Sequence, residues 1–283
     1  IKEQLPDLDD NHLIVEPGRR GTANCIIAAL ALIQKYEDRN EPIAFISTDH
    51  HIRDTDGLIN SFSVAEETSS KFKKITLVGI EPSYPATGFG YIERGARSDQ
   101  EASYSVKSFK EKPDYTTATQ YLKSGKYLWN SGYFVGSVNT FTSTMEEYSP
   151  ELYKSYELIK DLDQKSKKYV ETYSGFTSNS IDYALIEKAE GLLLVPANFD
   201  WADIGSFKDL HDVVDKDENQ NHIYGNNIYI VDSENLYVRN EEDKPMAIIG
   251  LDNVVIVNTK DGIVVSRKDM SQKVGDIAKE IQK

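Results

Sequence analysis

Two acidic side chains follow apolar segments that are typical of buried strands. Asp49 comes directly after residues 43–47, and Asp203 comes a few residues after 192–195, just before a helix that Ser206 can cap. Ligands of open α/β sheets bind beyond the carboxyl ends of the strands. Two carboxylates with phosphate oxygens and water make a suitable shell for Mg²⁺, so both residues are predicted metal ligands. Taken singly, each is more typical of a loop or capping carboxylate.

Three further segments carry residues that could face a small polar ligand. Glu111 and Lys112 lie side by side where a proline stops an alternating strand, so one of them should face a cleft. Residues 129–132 combine an aromatic ring, the Asn130 amide and a glycine, a set suited to sugar hydroxyl groups. Gly90, in a Gly-x-Gly segment, permits close backbone approach. The alternatives are a solvated charge cluster, an ordinary turn and a chance glycine pair.

The elements that must position these residues indicate an α/β domain. Residues 12–16 predict a strand, and residues 25–33 predict a buried helix with Thr22 or Asn24 as its cap. Near-continuous apolar strands separated by a helix predict a parallel sheet covered on both faces. Further strands are predicted at residues 43–47, 74–80, 106–109, 134–135 and 192–195, and residues 141–188 are predicted to be mainly helical.

From about residue 221 the pattern changes to short strands with turns between them, which predicts a small β-rich, β-helix-like second domain. Its predicted strands are residues 228–231, 236–238, 254–257 and 263–265, with an Asp-Gly hairpin turn at 261–262 and a helix at 272–282. We therefore expect a core at residues 1–220 and a C-terminal domain at 221–283.

Composition excludes several classes of function. The 283 residues carry 46 acidic and 32 basic side chains, a net charge of −14, and the basic residues form no cluster, so nucleic acid is not an expected partner. A phosphorylated ligand would then need a divalent cation. No apolar stretch of about 20 residues or signal-peptide layout is present, which predicts a cytoplasmic protein without a membrane partner. The single cysteine, Cys25, is predicted to be buried and inert.

Taken in order, these segments resemble the nucleotide-sugar pyrophosphorylases, and among them the mannose-1-phosphate guanylyltransferases. The match is collinear over nearly the whole chain and includes seven motifs. These are Glu16-Pro17 with Arg20 and Thr22-Ala23, Thr48-Asp49-His50, residues 85–92, 109–114, 127–132 and 180–184, and Phe199-Asp200-Trp201-Ala202-Asp203-Ile204-Gly205. Residues 249–251 and 257–261 also resemble the tail domain of that family.

The resemblance implies a Rossmann-like nucleotidyltransferase sheet and transfer of a guanylyl group from GTP to mannose 1-phosphate, with Mg²⁺ as cofactor. Asp49 and Asp203 match the metal-binding aspartates, and Lys112 matches the lysine that contacts the sugar phosphate. Glu111, Asn130 and the Gly90 backbone match positions that face the sugar. The positions that match the segment near the base and ribose are Glu16, Arg20 and Thr22. A homodimer is a possible assembly.

Two departures from the family pattern keep alternatives open. The family usually has Arg-Asn-Thr-Ala-Pro where this chain has Gly21 and Asn24 in place of the amide and the proline. Another base or hexose 1-phosphate is therefore an alternative. The glycine-rich phosphate loop of the family and its first strand are expected before Ile1, and residues 1–283 alone are expected to be inactive. A degenerate, non-catalytic subunit that binds GDP-mannose is the second alternative.

Overall fold

The computed structural model describes residues 1–35, 38–98, 102–197 and 199–281, and it divides into two compact units. The first unit consists of Ile1–Ser47 and Asp54–Phe199. The second consists of Thr48–Arg53 and Asp200–Lys283. Within the described ranges, no helix has both the length and the apolar composition needed to cross a membrane.

The strands of both units are numbered in chain order. They are β1 (Pro42–Phe45), β2 (His50–His51), β3 (Thr76–Ile80), β4 (Tyr91–Arg97), β5 (Tyr104–Lys110), β6 (Tyr127–Ser137), β7 (Leu193–Pro196), β8 (Ala202–Asp203), β9 (His222–Gly225), β10 (Ile228–Val231), β11 (Tyr237–Asn240), β12 (Met246–Ile249), β13 (Val254–Thr259) and β14 (Gly262–Arg267).

The helices are likewise numbered in chain order. They are α1 (Thr22–Ile33), α2 (Thr55–Phe72), α3 (Tyr115–Ser124), α4 (Val138–Tyr148), α5 (Pro150–Ile159), α6 (Lys167–Ser174), α7 (Phe207–Val213) and α8 (Val274–Ile281). Four helices of the first unit have an N-cap residue whose side chain accepts a hydrogen bond from a backbone N–H of the first turn. These caps are Asp54, Asp114, Ser137 and Ser166.

The first unit is built on a six-stranded sheet with the order β1-β6-β3-β7-β5-β4. The prediction of a parallel sheet is wrong for most of these strand pairs. Only β3 and β7 pair in parallel, and the other pairings in the described sheet are antiparallel. The connection between β4 and β5 is too short for a crossover, and a short connection can only return the chain in the opposite direction. The prediction of cover on both faces is confirmed for β3, all of whose residues are buried.

The N-terminal segment differs from its prediction. Residues 12–16 form no strand. A 3₁₀ turn at Asp10–His12 is followed by an extended Leu13, and no strand of the described chain pairs with the segment. An apolar, extended segment becomes a strand only when a neighbour supplies its hydrogen-bonding ladder. The strand and helix patterns predicted at residues 74–80, 106–109, 134–135, 192–195 and 141–188 are confirmed within the elements given above.

The start of α1 also differs from its prediction. Gly21 is the N-cap, with φ 78° and ψ 166°, and no side chain caps the helix. The Thr22 hydroxyl instead accepts from the backbone N–H of Ile181, and the Asn24 amide donates to the carbonyls of Arg20 and Thr177. Both predicted caps are therefore used in tertiary contacts.

Cys25 is exposed, so the prediction of a buried thiol is wrong. Its neighbours in α1, Ala23, Ile26 and Ile27, are buried. Partial desolvation, and secondarily the Glu16 carboxylate, raise the pKa of the thiol. A raised pKa keeps the sulfur protonated, which agrees with the expected low reactivity.

The second unit contains parallel coils of a β-helix. Tyr237 pairs with Val255 and Ile228 with Met246, at an offset of 18 residues, whereas His222 pairs with Tyr237 at an offset of 15. Leu236, Val238, Ile248 and Ile256 form its apolar core. The predicted strand at residues 228–231 and the hairpin between β13 and β14 are confirmed.

The C-terminal helix is shorter than predicted. A 3₁₀ segment occupies Lys268–Lys273, and α8 begins only at Val274. Residue 282, the predicted end of the helix, lies outside the described residues.

Candidate functional site

Gly90, Glu111 and Asn130 lie together at one end of β4, β5 and β6. Gly90 precedes β4, Glu111 follows β5, and the Asn130 backbone N–H donates to the Gly90 carbonyl at 2.8 Å. A Cβ on residue 90 would lie 2.4 Å from Glu111 Oε2 and 3.2 Å from Asn130 Cβ. Residue 90 must therefore be glycine, because the Glu111 carboxylate and the Asn130 side chain pack where a Cβ would lie.

The Glu111 carboxylate is the most unusual group of this cluster. Its side chain is 9% exposed, and Oε2 is buried with no hydrogen-bond partner among the described residues. Oε1 lies 3.5 Å from Lys112 Nζ. Burial, followed by the nearby Asp182 carboxylate, raises the pKa of Glu111. A buried acceptor without a donor is costly, so the arrangement suits a ligand that brings a hydroxyl group.

Lys112 has a backbone conformation that few lysines adopt. Its φ is 46°, in the left-handed region, and the buried Pro113 follows it. Such a conformation costs about 1–3 kcal/mol and is retained where the surrounding structure requires it. It turns the chain out of β5 and leaves the Lys112 side chain half exposed beside Glu111. The expectation that one of these neighbours faces a cleft agrees with the enclosed Glu111 carboxylate.

Asp182 also belongs to this cluster, although the sequence motifs alone assigned it no role. Its Oδ1 accepts a hydrogen bond of 2.8 Å from Asn130 Nδ2. Burial raises the pKa of Asp182, while the Asn130 hydrogen bond opposes that shift. The signal that could have identified Asp182 is an acidic residue among the apolar neighbours Ile181, Ala184 and Leu185, which are buried.

The segment around residues 16–22 forms a second group of the first unit. Tyr173 donates a hydrogen bond to Glu16 Oε1. The Arg20 guanidinium donates to the Ser174 carbonyl from Nε at 3.1 Å and from Nη2 at 2.6 Å. The Glu16 carboxylate also interacts with the Cys25 thiol, and much of the Arg20 donor capacity is used to hold the end of α6.

Residues 179–182 connect these two groups within the first unit. The Asn179 backbone accepts from Ala23 N–H and donates to the Arg20 carbonyl, and Ile181 N–H donates to the Thr22 hydroxyl. One residue later, Asp182 accepts from Asn130. A four-residue segment therefore joins the start of α1 to the Glu111 cluster.

Asp49 and Asp203 both belong to the second unit. His50 is the antiparallel partner of Asp203 in the β2–β8 pair, and Asp49 is the residue before it. Burial lowers the pKa of His50, and the charges of Asp203 and Asp49 oppose that shift, so both carboxylates lie near the same imidazole. Trp201 Nε1 donates to His50 Nδ1 at 3.1 Å and fixes the ring.

Asp49 and Asp203 are oxygen donors of the kind that a divalent cation prefers. In the described part of the chain, no group of three or more His, Cys, Asp or Glu side chains could enclose a metal ion. Mg²⁺ is usually held by one or two carboxylates, with water and substrate phosphates completing its shell. Asp49 is exposed and Asp203 partly exposed, as ligands of such an ion must be.

The structure thus places the predicted residues in three groups. Gly90, Glu111, Lys112 and Asn130 share one cluster of the first unit. A second group of that unit contains Glu16, Arg20 and Thr22. Asp49 and Asp203 form the group of the second unit.

Comparison with known proteins gives two family matches. Residues 1–220 match the model of the nucleotidyl transferase family. Residues 225–281 match the MannoseP isomerase/GMP-like beta-helix domain, which agrees with the coils of the second unit.

Individual relatives extend over nearly the whole chain. A mannose-1-phosphate guanylyltransferase of Salmonella typhimurium is 34% identical over 284 residues, which cover 98% of this chain and 58% of the relative. One of Klebsiella pneumoniae is 33% identical, covering 97% of this chain and 59% of the relative. The crystal structure of a protein described as mannose-1-phosphate geranyltransferase from Thermus thermophilus superposes with a TM-score of 0.84 at 27% identity, covering 96% of this chain and 78% of that chain.

The chain spans somewhat less than two thirds of the length of these curated relatives. The family match itself covers more than half of the chain and includes the sheet of the first unit, the Glu111 cluster and both Asp49 and Asp203. The chain belongs to the nucleotidyl transferase family.

Proposed function

We propose that the protein transfers a guanylyl group from GTP to mannose 1-phosphate and forms GDP-mannose and pyrophosphate. The relatives of Salmonella typhimurium and Klebsiella pneumoniae, which align with nearly the whole chain, are named mannose-1-phosphate guanylyltransferases. The observation that carries the proposal is the Glu111 cluster: Oε2 of Glu111 is buried without a donor among the described residues, and it packs so closely against the Gly90 backbone that a Cβ would not fit there. A hexose hydroxyl would supply the missing donor.

The chemistry needs no side-chain nucleophile. A phosphate oxygen of mannose 1-phosphate attacks the α-phosphorus of GTP in line, and the bond from that phosphorus to the β-phosphate oxygen breaks. Pyrophosphate leaves with the bonding electrons. The protein contributes by positioning the two substrates and by neutralising charge.

Each side chain of the Glu111 cluster then has a defined task. Glu111 and the Asn130 amide bind sugar hydroxyls, and the Gly90 backbone allows the sugar to approach closely. Lys112, a compact cation at the end of a mobile stem, contacts the sugar phosphate. Its half-exposed position beside Glu111 suits that contact.

Asp49 and Asp203 are the residues that would hold Mg²⁺. When bound, the ion supplies positive charge against the phosphate oxygens of the substrates. His50, held by Trp201 and lying opposite Asp203, keeps these two carboxylates in place.

The proposal assigns nucleotide binding to Glu16, Arg20 and Thr22. A carboxylate only accepts hydrogen bonds and therefore suits the N–H donors of a guanine edge. Tyr173 holds one oxygen of Glu16 and so orients the carboxylate. Gly21 and Asn24, which replace the usual amide and proline of the family, are used here in contacts with Asn179, Arg20 and Thr177.

The same proposal includes a cytoplasmic location and a homodimer. A chain with a single cysteine, and hence no internal disulfide, fits a reducing compartment. The apolar side chains on the outer faces of the β-helix, among them Tyr229, Ile249 and Ile263, offer a surface for association.

The test uses the full-length gene product that contains residues 1–283. Pyrophosphate release is measured with Mg²⁺ and each nucleoside triphosphate, paired in turn with mannose 1-phosphate and glucose 1-phosphate. The proposal predicts the highest kcat/KM for GTP with mannose 1-phosphate, and Lys112→Ala should lower it about 100-fold. A preference for another pair would replace the substrate assignment. Binding of GDP-mannose without any turnover would favour the sensing subunit.

A further inference from the structure

Asp182 begins a π-helical turn, Asp182–Ile186, that faces the Glu111 cluster. Its Oδ1 accepts the 2.8 Å hydrogen bond from Asn130 Nδ2. Turns of this kind are rare and are frequent at functional sites. This one brings a second carboxylate to a place where Glu111 already carries a buried acceptor without a partner among the described residues.

The Asn130 amide is held at both of its ends. Nδ2 donates to Asp182, and Oδ1 accepts from the Gly132 backbone N–H at 3.2 Å. These contacts leave one N–H and one lone pair of the amide for a ligand, in fixed directions. The bond to Asp182 is the charge-assisted one and therefore the stronger constraint.

Asp182 also acts on Glu111 through its charge. After burial, Asp182 is the largest cause that raises the pKa of Glu111, Lys112 opposes it, and Glu187 adds to it. Burial raises the pKa of Asp182 as well, against the opposing effects of Asn130, Lys112 and Ser180. Two like charges in one buried cluster repel, so the Asp182 charge makes Glu111 take up a proton at a higher pH than it would alone.

We propose that Asp182 is a positioning residue for the sugar: it fixes the Asn130 amide, and its negative charge acts on the Glu111 carboxylate that accepts a hydrogen bond from a hexose hydroxyl. The identity of the ligand, a hexose 1-phosphate, rests on the proposed function. The influence of Asp182 on Asn130 and Glu111 does not depend on that identity.

The first experiment needs no substrate. The Glu111 side-chain carboxyl is titrated by NMR in ¹³C-glutamate-labelled protein, in the wild type and in Asp182→Asn, with Glu111→Gln used to assign the signal. Removing the neighbouring charge should move the Glu111 midpoint to lower pH. Thermal unfolding of Asp182→Asn verifies that the variant is folded. A midpoint that does not move in a folded variant overturns the proposal.

The second experiment measures kcat and KM for mannose 1-phosphate against pH. Asp182→Asn should move the acid limb of kcat/KM to lower pH, and Asp182→Ala should raise KM about ten- to a hundred-fold by releasing the amide. Glu187→Gln is the matched control, because its carboxylate pairs with Lys110 at 3.7 Å and is a minor cause of the Glu111 shift. It should move the acid limb only slightly and leave KM unchanged.

The two experiments separate failure of the positioning role from failure of the proposed function. A moved NMR midpoint without turnover of GTP and mannose 1-phosphate overturns the proposed function and leaves the coupling between Asp182 and Glu111. Lower kcat with an unmoved acid limb and an unmoved midpoint shows that Asp182 is merely structural, and it overturns the positioning role whatever the activity.

Discussion

The Tyr173 hydroxyl donates a hydrogen bond to the Glu16 carboxylate, and the ring of Tyr173 stacks on Tyr169 with centroids 5.7 Å apart. The Tyr169 hydroxyl is also buried, yet the described residues provide it with no hydrogen-bond partner. Burial raises the pKa of both phenols, that of Tyr169 to about 12, so both hydroxyls stay protonated at ordinary pH. The two tyrosines differ chiefly in whether the hydroxyl is bonded.

This difference makes Tyr173→Phe and Tyr169→Phe a matched pair. Loss of a hydrogen bond to a charged group should lower the free energy of unfolding by about 1.5–3 kcal/mol in Tyr173→Phe. Tyr169→Phe removes a buried hydroxyl for which the described residues offer no partner, so it should not lower that free energy and should raise it by up to about 1–3 kcal/mol. Urea denaturation measures both values, and equal losses would contradict the assignment of the bond.

The same pair tests the proposed role of Glu16 in nucleotide binding. A Glu16 carboxylate released by Tyr173→Phe should raise KM for GTP roughly ten-fold, because one positioning hydrogen bond is lost. KM for mannose 1-phosphate should not change. A Tyr173→Phe enzyme with the KM for GTP of the wild type would remove Glu16 from the nucleotide site.

Gly21 is predicted to be irreplaceable. Its φ of 78° with ψ of 166° is a conformation that only glycine adopts readily, and a Cβ there would lie 2.1 Å from the Asn179 carbonyl oxygen. Gly21→Ala, or the Asn that is usual in the family, should therefore cost more than about 3 kcal/mol of unfolding free energy. Gly18→Ala is the control, since its Cβ would meet no atom within 4 Å. Similar denaturation midpoints for the two alanine variants would refute this explanation of Gly21.

His211 should make the second unit sensitive to acid. Its Nε2 donates to the Gln220 carbonyl at 2.9 Å, and its Nδ1 accepts from the buried Lys268 ammonium at 3.1 Å, an arrangement that requires a neutral ring. Burial is the main cause that lowers the His211 pKa, and Lys268 adds to it.

The sign of the effect follows from this lowered pKa. The unfolded chain binds a proton at His211 near pH 6.5, before the folded protein does. The stabilising effect is therefore complete above about pH 6.5 and is lost as the pH falls towards the lower pKa of the folded state. Tm measured from pH 7.5 to 5 should fall less steeply in His211→Asn than in the wild type. His222→Gln, a change in the same unit, should retain the wild-type slope, and identical slopes in all three proteins would argue against the His211 effect.

Asp203 is predicted to determine the Mg²⁺ concentration that the reaction requires. Asp203→Asn removes one charge from the proposed carboxylate pair and should raise the Mg²⁺ concentration for half-maximal activity at least about ten-fold. The control is Asp212→Asn, an exposed carboxylate of the same unit that pairs with Lys208. The finding that would count against the assignment is an unchanged Mg²⁺ titration in Asp203→Asn.

Much of the fold could be predicted because local patterns specify it. The residues of β10 and the turn between β13 and β14 follow from alternation and an Asp-Gly pair. β4 was missed because Glu93, Arg94 and Arg97 make it look like a loop, although Glu93 is buried and paired with Lys107. The predicted strand direction in the main sheet was wrong, because an apolar run does not specify which strand will pair with it or in which direction.

The repeat of the β-helix coils could not be predicted from the sequence for a different reason. Their repeat resides in turn geometry and in an amide ladder more than in apolar spacing. Asn235 and Asn253 both have positive φ, and Asn258 donates to Asn240 at 2.8 Å, one coil away. A repeat carried by so few positions is weak in a single sequence.

The candidate site shows the same division between local and tertiary information. Gly90, Glu111 and Asn130 could be selected from their own motifs. The role of Asp182 could not be assigned from its motif alone, because its contact with Asn130 depends on a π-turn that brings together residues 52 positions apart. The buried Glu111 oxygen is likewise a property of the packed structure.

The most direct test of the proposed reaction is transfer of label from [α-³²P]GTP. The full-length gene product is incubated with Mg²⁺ and mannose 1-phosphate, and the nucleotide products are separated. We predict label in GDP-mannose, in a one-to-one ratio with released pyrophosphate, and none without mannose 1-phosphate. Labelled GDP or GMP in place of GDP-mannose, or label that stays in GTP, would contradict the proposed reaction.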